Sequence, residues 1–180
     1  GVEEPQDAEP LYLDHYRDGI DYRLGRQSLE RSLAYETATS APLPDQVEAF
    51  VGIADWDLLH ARNSLAIEQY QRASAMLQEA GAPTSIDELF SPKTPVVLPS
   101  FESNPLASDA IQAASYIGVA FEISRYGVSR QIEILETTNA TDAAKKRLVQ
   151  LIQRSRFRPR MTDGQLARSS PVVLRYYLGE

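Results

Sequence analysis

The sequence predicts an α+β protein in which helices come first and a small β-β-α-β domain, a three-stranded antiparallel sheet packed on one helix, comes last. Apolar residues recur at helical spacing up to about residue 80, and they alternate with a period of two from about residue 112. The segment between them carries five prolines and fits neither pattern. We therefore expect a helical region over 11–80, a proline-rich extended strap or linker over 81–111, and a mixed domain over 112–180.

Charge distinguishes the two ends of the chain. The 180 residues have a formal net charge of −7. Residues 1–111 carry 7 basic and 19 acidic side chains, whereas residues 112–180 carry 11 basic and 6 acidic ones. This asymmetry indicates either two parts that attract each other or two parts that face different partners.

The first helices are predicted from stripes of apolar residues and from the glycine and prolines that interrupt these stripes. One stripe ends at Gly25 and a second runs over about 27–39, so we expect the glycine to separate two helices. Pro42 and Pro44 then predict a break, with Asp45 as the N-cap of a third helix. Residues 1–10 are acidic and contain two prolines, and we expect a disordered lead-in there.

A fourth helix is predicted over about 64–79, with a stop at Gly81. Its segment 66–73 resembles the second helix of a tetratricopeptide repeat, in which small and aromatic residues let paired helices pack closely. The matching first-helix positions hold Phe50, Ile53 and Ala54, whereas Asp57 stands where that family prefers an aromatic residue. A solenoid usually needs about three repeats, so we expect a short helical unit supported by the rest of the chain.

The segment 81–111 is predicted to be an extended strap on a domain surface. Residues 85–90 could form one helical turn, but the prolines exclude a regular element over the rest. The rest is not a purely solvated linker either, because it includes the apolar residues Val96, Val97, Leu98 and Phe101.

The last part begins with a predicted β-hairpin. Apolar residues at 117, 119, 121 and 123 alternate with small or polar ones, which indicates a strand with one buried face. The turn 125–127 places Gly127 where a positive φ is needed, and a second strand runs from Val128 to about Thr137.

A helix and a third strand complete the domain. The helix begins at Thr141 or Asp142 as N-cap, and after a turn over 162–164 the last strand covers 171–178. The helix must cover one face of the sheet, so the simplest layout puts the first strand in the middle, antiparallel to both neighbours. The last strand is then an edge with unpaired backbone groups. The apolar stripe of the helix is Ala144, Leu148, Leu151 and Ile152.

This order of elements resembles the periplasmic C-terminal domain of the TonB energy transducers over about 112–180. The resemblance rests on the hairpin around Tyr126-Gly127, the helix, the Asp163-Gly164 turn and the closing strand. It also rests on a short signature before that turn, Arg156-Phe157-Arg158-Pro159. The signature residues of the family are identified as Phe157, Pro159 and Gly164.

The resemblance implies a periplasmic protein of the bacterial envelope that takes part in transport as an energy transducer. It implies that the last strand accepts an extended peptide of a protein partner, such as an outer-membrane transporter or an envelope complex. A homodimer through the same edge is a further expectation, and alternatively the strap at 94–101 covers this edge. The predicted partner-binding strand consists of Val172, Val173, Leu174, Arg175 and Tyr176.

Alternating arginines after the helix form a predicted basic stripe. It is suited to an acidic partner, to anionic lipid headgroups or to a cell-wall polymer. Alternatively, Phe157 fills the core and the arginines point into solvent. Nucleic acid is not an expected partner, because aromatic interleaving is limited to Phe157 and the first part is acidic. The stripe consists of Arg154, Arg156, Arg158 and Arg160.

Catalytic, metal and cofactor sites are not predicted. The chain has no cysteine, which excludes thiolate nucleophiles and thiolate ligands. His15 and His60, the two histidines, lack a second histidine or cysteine at helical ligand spacing. Neither a nucleophile elbow nor a glycine-rich phosphate loop occurs. We expect a protein that is not an enzyme and has no cofactor.

Membrane contact is expected only through an anchor outside this sequence. No apolar run approaches the roughly 18–20 residues needed to span a bilayer, and we expect any anchor or signal peptide to precede Gly1. The leading hypothesis is therefore a periplasmic interaction protein. The rival is a structural envelope adaptor or peptidoglycan-binding module without energy transduction.

Overall fold

The computed structural model describes residues 15–99, 104–106 and 115–178, with side chains throughout except at 15–20 and 83–84. The described chain is a mixed helix and sheet protein, as the sequence predicts. Within it, no helix is both long enough and apolar enough to cross a membrane. The expected lead-in over 1–10 lies outside the described residues. The elements are α1 His15–Ala38, α2 Leu43–Leu59, α3 Asn63–Glu79, α4 Pro83–Phe90, β1 Val97–Leu98, β2 Tyr116–Ile123, β3 Ser129–Thr138, α5 Asp142–Arg154, β4 Arg156–Phe157, β5 Arg160–Thr162, β6 Gln165–Ala167 and β7 Val172–Tyr177.

Helix α1 runs through Gly25 without a break, so the expectation of two separate helices is wrong. The glycine serves helix packing instead. A Cβ at position 25 would lie 2.3 Å from Cζ2 of Trp56 on α2. The Trp56 indole also donates a hydrogen bond to the Tyr22 carbonyl at 3.0 Å. Gly25 therefore lets α1 and α2 approach closely around this tryptophan.

Helix α2 begins three residues earlier than predicted. Pro42 is the N-cap residue without a side-chain cap, and Pro44 lies in the first turn. A proline is tolerated there because the first helical N–H groups have no partner within the helix. Asp45 is therefore a first-turn residue that interacts favourably with the helix dipole, and it is not the N-cap.

The helical part has its own hydrophobic core between α2 and α3. Its largest member, Tyr70, is fully buried and meets the Phe90 ring of α4 edge-on at 5.7 Å. Four residues of this core belong to α3. The core includes Val47, Phe50, Val51, Ala54 and Leu58 from α2, and Ala66, Tyr70, Ala73 and Leu77 from α3.

The sheet has the predicted order, with β2 in the middle and β3 and β7 antiparallel on either side. Helix α5 covers one face of it, and the Thr141 hydroxyl caps this helix by accepting from the Ala144 N–H at 3.1 Å. The second core lies between these layers. It includes Ile117, Val119, Phe121 and Ile123 from β2, and Ala144, Leu148 and Ile152 from α5.

The turn between β2 and β3 confirms the role predicted for Gly127, whose φ is +74°. The Gly127 carbonyl accepts a hydrogen bond from the Phe157 N–H at 2.8 Å. A Cβ at position 127 would lie 2.1 Å from the Phe157 carbonyl oxygen. The hairpin turn is thus packed directly on β4, which leaves space only for a glycine.

The strap joins the two cores through a two-residue strand. β1 pairs antiparallel with β4, so the described strand of the strap lies along the signature segment and does not pair with β7. Leu98 is buried in the helical core, whereas Val97 packs against the core of the sheet domain. Phe101 lies outside the described residues. The segment is therefore a structural bridge between the two parts.

A short hairpin that the sequence reading missed lies between β4 and β7. β5 and β6 pair around Asp163 and Gly164, whose φ values are +51° and +73°. Two consecutive positive φ values are typical of tight hairpin turns, so the predicted Asp-Gly turn closes two strands. Met161 of β5 is buried in the helical core, which ties this hairpin to α2 and α3.

Candidate functional site

Among the described strands, β7 is an outer strand of the three-stranded sheet. It pairs with β2 along its full length and without a register shift. No other strand in the described part of the chain pairs with it. An unpaired, regular edge is a template onto which another extended chain can add.

The register shows which backbone groups face outward from this edge. The Leu178 N–H donates to the Ser115 carbonyl at 3.0 Å, which marks Leu178 as bonded to the β2 side. Hydrogen-bonding direction alternates along an antiparallel strand. The backbone groups of Val173, Arg175 and Tyr177 therefore point away from β2, toward the open side.

The side chains of β7 divide between two faces in the same alternation. Val172 is buried, and Leu174 and Tyr176 pack against the core under α5. Val173 is 63% exposed on the opposite face of the sheet. Of the five residues predicted to bind a partner, Val173 and Arg175 have backbone groups that face outward. The other three pack into the core and hold the strand in place. Tyr177 was missed, although strict period-two counting from Val173 reaches it.

Arg175 is held in place on the uncovered sheet face. Its Nε donates to a Glu136 carboxylate oxygen on β3 at 2.9 Å, and its guanidinium lies 4.8 Å from the centre of the Tyr116 ring. This hydrogen bond and the Glu136 charge raise the pKa of Arg175. Gly118 lies between the two flanking strands, and a Cβ there would lie 2.5 Å from Cγ of Glu136. The glycine thus allows a direct ion pair across the central strand.

Strand β3 forms the opposite edge of the sheet, and it is irregular and charged. The β2–β3 pairing has two register shifts, and Gln131 of β3 has a φ of +50°. Arg130, Glu133 and Glu136 of this strand are exposed charged residues. Bulges and charges are the features by which proteins protect edge strands from pairing. Of these two edges, β7 is the one suited to strand addition.

The predicted basic stripe is not one surface. Arg158, whose side chain is 10% exposed, makes a bidentate ion pair with Asp55 of α2, with Nε–Oδ1 at 3.0 Å and Nη2–Oδ2 at 2.6 Å. Arg160 is half-buried and donates to the Pro92 carbonyl at 3.2 Å. Arg158 thus points toward the helical part and Arg160 toward the strap, so neither the shared stripe nor the solvated alternative describes them. Arg154 and Arg156 instead line a cavity beside α5.

Tyr70 completes the buried charge cluster. Its hydroxyl donates to Asp55 Oδ1 at 2.7 Å. Burial raises the pKa of Tyr70 well above its usual value, and the Asp55 charge and hydrogen bond raise it further. Burial acts to lower the pKa of Arg158, but the charge and the hydrogen bond of Asp55, with smaller contributions from Tyr70 and Glu48, together outweigh it and the pKa is raised. Tyr70 and Arg158 therefore both hold their protons firmly, which suits a structural joint.

The three signature residues have structural positions. Phe157 is fully buried and its ring lies 5.4 Å from that of Phe121. Pro159 is buried, and Gly164 forms the β5–β6 turn. These residues position the chain between α5 and β7 and are not part of an exposed site.

The histidines do not build a metal centre in the described structure. His60 packs against Trp56 with ring centres 4.3 Å apart, and its Nδ1 lies 2.9 Å from the Trp56 carbonyl oxygen. The side chain of His15 is outside the described set. No group of three or more potential metal ligands occurs among the described residues.

A cavity of about 450 Å³ lies where α5, the strap and the end of α2 meet. Arg147 of α5 lines it together with Arg154 and Arg156. Sequence reasoning missed Arg147, although its spacing of seven residues from Arg154 puts both on one side of a helix.

Comparison with known proteins gives no relatives: no protein-family model, no curated protein and no solved structure matches this chain.

Proposed function

We propose that this protein is a non-enzymatic interaction module that binds an extended segment of a partner protein by strand addition at β7. The observation that carries the proposal is the open, regular edge of β7. Its outward backbone groups belong to Val173, Arg175 and Tyr177, and no described strand pairs with them. Backbone hydrogen bonds would supply affinity, and the alternating side chains would supply selectivity.

The setting of this activity follows from the resemblance to the TonB C-terminal domain. On that basis the proposal places the protein in the periplasm, with an outer-membrane transporter or another envelope protein as partner. The tetratricopeptide-like helices would contact a second partner, so that the chain acts as an adaptor. The Arg158–Asp55 pair supports joint action, because it connects the two parts through buried charges.

Substitution of an outward donor tests the proposal. Peptides selected from a random display library on the folded protein should bind with an affinity that falls about tenfold in Arg175→Pro. Proline removes the outward N–H of residue 175 but no hydrogen bond to β2. On binding, the amides of Val173, Arg175 and Tyr177 should become protected from hydrogen exchange.

Arg175→Val is the matched control, because it removes the ion pair with Glu136 but keeps the N–H and the strand propensity. It should bind the selected peptides nearly as well as the parent protein. Equal peptide affinity in a folded Arg175→Pro variant would exclude strand addition at this edge.

A structural adaptor of the envelope is the second candidate. The surplus of basic side chains in residues 112–180, 11 against 6 acidic ones, favours it, because peptidoglycan carries carboxylates. Sedimentation with purified peptidoglycan, unaffected by Arg175→Pro, would favour this alternative over peptide capture.

A further inference from the structure

Several segments of the chain line the partly open cavity beside α5. Strand addition at β7 gives this cavity no role. Arg147, Gln150, Leu151 and Arg154 follow one another at positions i, i+3, i+4 and i+7, so they form one stripe along α5. Seven residues of helix extend about 10 Å, which sets the length of this wall. The stripe lies beside the one that packs on the sheet, so α5 uses a second face here.

The opposite wall and the floor come from the rest of the chain. Val97 and Leu98 of the strap and Leu59 of α2 supply apolar surface. Arg156 of β4, two residues beyond the end of α5, also lines the cavity. The site thus exists only where the helical part, the strap and the sheet domain meet.

The described residues that line this cavity include charged side chains of one sign. Arg147, Arg154 and Arg156 are among them, and no aspartate or glutamate is. Among the described residues, neither Arg147 nor Arg154 has a carboxylate within salt-bridge distance. The carbonyl groups at the end of α5 compensate part of the Arg154 charge but do not reach Arg147. A cavity of this kind attracts an anion.

We propose that this cavity binds a small amphipathic anion, in which a carboxylate or phosphate group contacts the arginines and an apolar group rests on the leucine and valine floor. Arginine is suited to this chemistry because its planar fork donates two parallel hydrogen bonds to carboxylate or phosphate oxygens. A volume of about 450 Å³ is within the range of small-molecule sites. This site is separate from the β7 edge and does not depend on the function proposed there.

Titration with soluble probes tests the proposal on the full chain. Octyl phosphate and octanoate, added to the ¹⁵N-labelled protein, should shift the amide signals of Leu98, Gln150, Leu151 and Ser155. Inorganic phosphate should bind more weakly, because it lacks the apolar group. Octyltrimethylammonium should leave these signals unchanged.

The arginines of α5 are tested as a pair. In Arg147→Gln/Arg154→Gln the affinity for octyl phosphate should fall at least about tenfold. Arg125→Gln/Lys146→Gln removes the same net charge from exposed positions outside the cavity and should retain the affinity of the parent chain.

Equal losses in the two double variants would overturn the proposal, because binding would then follow net charge alone. Equal affinities for inorganic and octyl phosphate would also overturn it, because the apolar floor would have no role. Vesicles of phosphatidylglycerol identify the source of the anion. Flotation that depends on Arg147 and Arg154 supports a lipid headgroup, and probe binding without flotation supports a soluble ligand.

Discussion

The ion pair between Asp55 and Arg158 joins residues that lie 103 positions apart in the chain. Asp55 is 4% exposed, and it accepts from both Arg158 and Tyr70. The sequence shows Arg158 in an alternating series and therefore suggests that it shares the environment of Arg154. Alternation assigns side chains to opposite faces, but it contains no information on which distant element covers each face. The direction of Arg158 could not be predicted for this reason.

Removal of one partner of this pair should be costly. Arg158→Met leaves the buried Asp55 carboxylate without its guanidinium partner, and we expect the free energy of unfolding to fall by about 3–5 kcal/mol. Urea unfolding followed by circular dichroism measures this loss. The double variant Asp55→Leu/Arg158→Met should recover much of it, since both charges are gone. A double variant as unstable as the single one would contradict the assignment.

Tyr22 gives a prediction for alkaline pH. Burial, together with the hydrogen bond that its hydroxyl donates to Asp57 at 2.7 Å, raises the pKa of Tyr22 to about 12. The folded protein then keeps this proton at pH values where the unfolded chain has lost it. The stabilisation is complete below about pH 10, the ordinary tyrosine pKa, and it is lost as the pH rises toward 12.

Urea unfolding at increasing pH checks this expectation. The fall in stability above about pH 10 should be less steep in Tyr22→Phe. Tyr35→Phe removes an exposed hydroxyl from the same helix and serves as the control. If the slope of Tyr22→Phe matched that of the control, Tyr22 would not be the group responsible.

At the scale of elements, Gly25 reverses the usual effect of alanine in a helix. Alanine normally stabilises a helix by up to about 1 kcal/mol relative to glycine. Here the new methyl group would overlap Trp56, so we expect Gly25→Ala to destabilise the protein by about 1–3 kcal/mol. Gly52→Ala on α2 is the matched control, because its Cβ would meet only Leu29 at 3.9 Å. Thermal unfolding of both variants should show shifts of opposite sign.

The turn between β2 and β3 allows a second comparison of glycines. Gly127 and Gly81 have φ values of +74° and +70°, so alanine at either position adds similar backbone strain, about 1–2 kcal/mol. Only Gly127 also approaches Phe157, whereas a Cβ at Gly81 would have no neighbour within 4 Å. Gly127→Ala should therefore lose clearly more stability than Gly81→Ala. Equal losses in chemical denaturation would mean that the turn moves away from β4 at little cost.

The type and order of β2, β3, α5 and β7 could be predicted because periodicity reports local burial, whereas the short strands β1, β4, β5 and β6 were not predicted. The alternation at Ile117 to Ile123 and the apolar stripe of α5 both reflect packing on one side only. The order of the strands could be inferred because the helix must cover one face of the sheet. Gly25 shows the limit of that reasoning. In the sequence, Gly25 cannot be distinguished from a glycine that ends a helix. Its role in packing is explained by Trp56, which lies on another helix. The open edge of β7 was predictable for the same local reasons, whereas the cavity beside α5 depends on three distant segments.

At the scale of the molecule, the strap and the segment after α5 each contribute residues to both cores. Met161 and Leu98, on strands next to the sheet domain, are buried with the helices, whereas Val97 and Phe157 pack with the sheet. We therefore expect one cooperative unfolding transition. Fluorescence of Trp56, the single tryptophan, reports the helices, and hydrogen exchange of the β2 amides reports the sheet.

The two probes should give the same midpoint in urea. A fragment of residues 112–180 should be markedly less stable than the same residues in the full chain, since it lacks both β1 and Asp55. Loss of the Trp56 signal at lower urea than exchange of the sheet amides would show instead that the two parts unfold independently.

The two-residue strand of the strap has a further consequence for how this chain can change. Neighbouring residues of a strand point to opposite sides, and here each side belongs to a different core. Deleting a single residue just before Val97 would shift the side-chain alternation of this strand by one position. Val97 would then face the helical core and Leu98 the core of the sheet domain. Residues 91–94 can therefore vary in chemistry more freely than in number, whereas Pro95 is buried and Val96 packs on the helical core.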